Sequence, residues 1–158
     1  MNYTQLRNEI IEPVLDHLEM GDTAAADLML ATAIVESGCD YIKQLGGGPA
    51  LSFWQVEPAT HDDIWQNYLA HREHIARAVE ALTPRDPIGV HPLIWNMGYA
   101  CAIARLVYRR RPEPLPERRD AAGMAMYWKQ WYNTAEGAGD PDKFERLYRK
   151  HILGEVNA

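Results

Sequence analysis

From Ala24 to Val35 the chain reads Ala-Ala-Ala-Asp-Leu-Met-Leu-Ala-Thr-Ala-Ile-Val, and from Leu28 onward every residue of that run is apolar or small. A helix with no polar face must be enclosed by other elements, so the run predicts a buried central helix. Thr23 can cap its start, and Gly38 marks its end, where a left-handed C-terminal residue is expected. A chain of 158 residues can enclose one such core but not two, which makes residues 1–158 a single domain.

The periodicity around that helix is also helical. Leu6, Ile10, Val14 and Leu18 recur every fourth residue, which predicts a first helix with a kink or restart at Pro13 and an end at Gly21. Thr60 with Asp63 resembles a helix-opening cap, and Ile64, Trp65, Tyr68 and Leu69 continue that helix. Another helical pattern runs from about Glu73 to Leu82, before Thr83-Pro84-Arg85-Asp86-Pro87 breaks the chain. Leu93 to Arg110 predicts one long helix, and two more follow over about Asp120 to Thr134 and Pro141 to Leu153, the last capped by Asp140. Only the stretch near residues 40–56, with Gly46-Gly47-Gly48-Pro49, lacks this period and predicts an irregular segment or small β-hairpin. The expected fold class is all-α.

Charge narrows the function. Twenty-two acidic residues against 16 basic ones give a net charge of −6, which disfavours nucleic acid as a partner. A local cluster, Arg109-Arg110-Arg111 with Arg118 and Arg119, is interrupted by Glu113 and Glu117 and predicts a solvated loop. His71 and His74, with His61 and Asp62 upstream, have a zinc-compatible spacing but lack the rest of a ligand set, so neither metal nor cofactor is expected. Cys39 and Cys101 predict buried reduced thiols. The N-terminal residues show neither a basic start leading into an apolar run nor a membrane span, so no signal peptide and no membrane insertion are expected.

A single charge, Glu36, closes the apolar run. At a helix end it is either a solvated side chain or a partly desolvated carboxyl whose raised pKa suits a general acid. The neighbouring residues favour the acid. Ala33-Ile34-Val35-Glu36-Ser37, Gly47-Gly48-Pro49-Ala50-Leu51-Ser52-Phe53-Trp54-Gln55-Val56-Glu57-Pro58-Ala59-Thr60, Asn96-Met97-Gly98-Tyr99-Ala100 and Trp131-Tyr132-Asn133-Thr134-Ala135-Glu136-Gly137 occur in that order. Together they resemble the soluble lytic transglycosylase family, of lysozyme-like fold: a Glu-Ser at a helix end, a Gly-Leu-apolar-Gln turn, a Pro-x-Thr helix start, an Asn-containing helix and an Ala-Tyr-Asn-Ala-Gly segment. The sequence departs from that pattern with Ser52 for the usual Gly, Trp131 for a common Ala, and Glu136 before Gly137.

The resemblance implies cleavage of the β-1,4 bond between N-acetylmuramic acid and N-acetylglucosamine in peptidoglycan. Glu36 is the implied catalytic acid and base, with the substrate N-acetyl group as internal nucleophile and a 1,6-anhydro end as product. Tyr132 is implied to orient the N-acetyl group, Gln55 and Asn133 to line the groove or hold its loops, and Ser37 to steady the carboxylate or contact sugar. Among the five tryptophans, Trp54 is the groove candidate by its place in the motif, while Glu57 and Asp62 read as solvated helix-start charges. Without a leader, delivery through a bacteriophage particle or to the periplasm or cell wall by a lysis system is expected, or else a cytoplasmic form awaiting release, with peptidoglycan and phage structural proteins as partners. The competing expectations are a structural particle component that keeps this fold with weak or no catalysis, and a hydrolytic lysozyme.

Overall fold

The computed structural model describes residues 1–83, 89–133 and 137–155. The chain opens with α1 (Tyr3–Leu6), a π turn over Arg7–Ile11 and α2 (Glu12–His17), joined end to end. The wide turn falls immediately before Pro13, whose missing N–H and bulky ring would break a regular α-helix at that point. The helix closes at His17, short of the Gly21 end expected from sequence, because Glu19 takes the left-handed turn with φ of 54°.

α3 (Thr23–Ser37) is the buried centre, with every residue from Ala25 to Ile34 enclosed. Its cap is Asp22 rather than Thr23: the Asp22 carboxylate accepts the Ala25 N–H at 2.7 Å, and Thr23 is already helical. Gly38 ends it as expected, at φ of 65°. α4 (Pro58–Asp63) starts before Thr60, so the expected Thr60 cap is not formed; Pro58 supplies the first turn, where no N–H is needed. A π turn over Ile64–Tyr68 continues it, followed by α5 (Glu73–Glu80).

The long helix expected over 93–110 is two helices, α6 (Pro92–Trp95) and α7 (Met97–Arg109). Asn96 separates them with an extended backbone, and its side chain accepts the Tyr99 N–H at 3.0 Å while donating to the Leu82 carbonyl at 2.8 Å. An N-cap inside an apolar run overrides the periodicity. α8 (Ala121–Trp128) leads into a π turn over Lys129–Asn133, and α9 (Pro141–His151) is capped by Asp140 as expected. The expected break at 84–87 and the motif residues Thr134, Ala135 and Glu136 lie outside the described residues.

The fold is all-α. Among the described residues the stretch 40–56 forms no sheet, only the isolated antiparallel bridges Lys43 to Leu51 and Leu51 to Val56. No described helix is long and apolar enough to cross a membrane. Around α3 pack α2, α7, α8 and α9, so the C-terminal end of α3 emerges where α8, α9 and the 51–56 turn converge.

Candidate active site

At that end lies a cleft of about 930 Å³, and Glu36 is in its wall. The carboxyl is largely enclosed, and burial pushes its pKa from 4.5 up to about 7. Trp128 Nε1 donates to Glu36 Oε1 at 2.9 Å, and the ammonium of Lys143 lies within range; both oppose the rise without cancelling it. Glu36 is therefore a carboxyl that carries or releases a proton near neutrality in a site open to a ligand.

The Trp128 ring is fixed from both sides. Phe144 stacks on it at 5.1 Å, and Gly139 approaches so closely that a Cβ there would lie 2.4 Å from Trp128 Cη2. Only glycine fits there. The Gly139 N–H is in turn held by Asn133 Oδ1 at 2.9 Å, and Lys129 Nζ donates to the same oxygen. Asn133 thus holds the 137–139 wall of the cleft.

Ser37 lies beside Glu36 in sequence but turns away from the carboxylate. Its Oγ donates to the Phe53 carbonyl at 2.8 Å and accepts the Cys39 N–H at 3.1 Å, clamping the end of α3 to the 51–56 turn. Cys39 and Gln55 both hold positive φ, of 56° and 49°. Such backbone persists only where its surroundings enforce it, and here both residues flank the acid. Gln55 faces the cleft and locks its own turn through Nε2 to the Ser52 carbonyl at 2.7 Å.

Tyr132 borders the cleft and donates its hydroxyl proton to the Trp54 carbonyl at 2.6 Å, with its ring stacked on Tyr108 at 5.0 Å. Trp54 itself is no groove residue. It is wholly buried, with Nε1 donating to the Met29 carbonyl at 2.9 Å, because its indole fills the space between α3 and the turn. The structure thus brings Glu36, Ser37, Gln55, Tyr132 and Asn133 to one cleft and withdraws Trp54 from it.

Trp128, Lys143 and the Tyr3–His151 pair were not singled out by sequence reasoning, although Tyr3 and His151 meet edge to face at 5.2 Å on the cleft wall. For Trp128 the available signal was its indole N–H, a donor that requires a partner when buried. Glu57 is exposed at the cleft edge; Asp62 lies outside the cleft and accepts from His61 Nδ1 at 2.9 Å.

Several polar side chains outside the cleft pair with one another. His61 is buried and its Nε2 meets the Tyr99 hydroxyl at 2.7 Å, and among the described residues no group of three potential ligands could hold a metal ion. Arg110 pairs with Asp63, Arg118 with Asp27, and Arg111 lies over the Trp131 ring. Cys39 and Cys101 are free and buried, and burial raises both thiols, that of Cys39 to about 12. Comparison with known protein families, with curated proteins and with solved structures finds no match to this chain.

Proposed function

We propose that the chain is a glycan-cleaving enzyme of the lytic transglycosylase type, with Glu36 as its catalytic carboxyl and a peptidoglycan strand as substrate. One observation carries the proposal: a desolvated carboxyl with a pKa of about 7, held by one N–H donor in the wall of an open cleft. A general acid must be protonated at working pH and still give up its proton, and a pKa near neutrality meets both demands. The order of sequence landmarks around Glu36 supports the same family and the same substrate.

In the first step Glu36 gives its proton to the glycosidic oxygen, and the C1–O bond breaks as the substrate's acetamido oxygen bonds to C1. Tyr132 supports this step in one way only. Its hydroxyl proton is committed to the Trp54 carbonyl, so toward substrate it can only accept. It would take the acetamido N–H and leave the amide oxygen free to attack. In the second step the Glu36 carboxylate removes the proton of the C6 hydroxyl, whose oxygen displaces the acetamido oxygen at C1 and leaves a 1,6-anhydro end.

Mass analysis of products from purified peptidoglycan tests the proposal. The expected products carry 1,6-anhydromuramoyl ends, and Glu36→Gln should lower the rate at least about 100-fold in a folded protein. Reducing ends alone would make the enzyme a lysozyme, and wild-type turnover by Glu36→Gln would remove Glu36 from the chemistry.

A further inference from the structure

Besides Glu36, which holds its proton until it acts, two acids border the described cleft, Asp40 and Glu57, against one lysine, Lys143. His151 also lies on the wall, but burial and the neighbouring Lys150 lower its pKa, which favours the uncharged ring. Lys143 occupies the first turn of α9, after Asp140, Pro141 and Asp142, a place where the helix dipole disfavours a cation. The helix gains nothing from a lysine there. The side chain is exposed and forms an ion pair with no acid among the described residues. Its charge nonetheless reaches Glu36 across the cleft.

A neutral N-acetylglucosamine strand has no use for such a group, and an acid-lined cleft would repel a strand bearing carboxylates. A single cation beside the acid offsets that repulsion at the point of cleavage. We propose that Lys143 is the contact that selects an acidic glycan, by pairing with a carboxylate on the substrate's side arm next to the bond that Glu36 breaks. This rests on the glycan-cleaving function proposed above. It adds a specificity residue, one that favours a strand carrying peptide or lactyl carboxylates over a neutral one.

Titration calorimetry on the uncleaving Glu36→Gln protein tests this with two ligands, an N-acetylglucosamine tetramer and a muropeptide tetrasaccharide with free stem carboxylates. Lys143→Met should weaken the acidic ligand about five- to tenfold and leave the neutral one unchanged, while Lys143→Arg keeps most of the affinity. Added salt should weaken the acidic ligand in the Lys143 protein and not in the Lys143→Met protein. Equal losses for both ligands, or none for either, overturn the assignment and mean that Lys143 acts only on Glu36 or on α9. If the Glu36→Gln protein with Lys143 intact binds neither ligand, the glycan-cleaving function itself fails and Lys143 loses its role with it.

Discussion

Glu36 is costly to the fold, and the cost depends on pH. Its carboxyl ionises at about 7 in the folded chain and near 4.5 when unconstrained. Below the lower value both states hold the proton and the site costs nothing. Between the two, the unfolded chain releases its proton first, so stability falls as pH rises, reaching a deficit of up to about 3 kcal/mol above the folded value. Glu36→Gln removes that dependence while its amide oxygen can still accept from Trp128. Thermal melts should therefore show the variant more stable than wild type at about pH 8 and nearly equal at about pH 4; parallel curves at both would mean that the carboxyl is solvated. Trp128 works in the opposite direction, stabilising the carboxylate through its N–H. Trp128→Phe should push the Glu36 pKa higher still and move the alkaline limb of the pH–rate profile upward, although the smaller ring also loosens the stack on Phe144. A limb that stays in place would show that the bond does not tune the acid.

The 51–56 turn explains a departure that sequence alone left without a reason. Leu51 and Val56 exchange both backbone hydrogen bonds, at 2.9 and 2.8 Å, closing a tight loop around Ser52, Phe53, Trp54 and Gln55. Ser52 has φ of 68°, the region where glycine is at ease, and its hydroxyl recovers part of the strain by accepting the Trp54 N–H at 3.2 Å. Ser52→Gly should change stability by less than about 1 kcal/mol, since relief of strain offsets the lost hydrogen bond and the added chain entropy. Ser52→Val should cost about 2 kcal/mol, because a β-branched side chain is forced into the same region; urea unfolding of the two variants checks the order. The central helix, its Gly38 end and the Asp140 cap were legible because apolar runs, glycine and aspartate act locally. The split at Asn96 was not, since its capping geometry depends also on Leu82, distant in the chain. In the cleft, Glu36, Gln55, Tyr132 and Asn133 carried local motif signals. Trp54 misled because the motif gives its position along the chain and not the side to which its ring turns.

At the scale of the molecule, the cleft holds its shape only if the elements that meet around α3 stay in register. One buried carboxylate joins three of them. Asp27, wholly enclosed in α3, receives Arg7 from the N-terminal π turn on one oxygen and Arg118 from the proline-rich loop on the other. Arg118 in turn offers its carbonyl to the Tyr148 hydroxyl of α9 at 2.9 Å, so the network runs from the first helical stretch to the last. α9 also carries Phe144, which backs Trp128, and Lys143, which faces the cleft; slack in this network is therefore transmitted to Trp128, the hydrogen-bond partner of Glu36. Asp27→Ala leaves two guanidinium groups without their shared carboxylate. Arg7 is mostly buried whereas Arg118 is half exposed and can regain water, which places the expected cost near the low end for breaking a buried pair, about 3 kcal/mol. Replacing Arg118 alone should cost less than replacing Arg7 alone, in the order of their exposure. Denaturant unfolding of the three single variants gives these values. Hydrogen exchange should show the loss of protection in Asp27→Ala spreading to α9, far along the chain from the substitution. Protection lost only around residue 27 would mean that α9 is held by its apolar face alone.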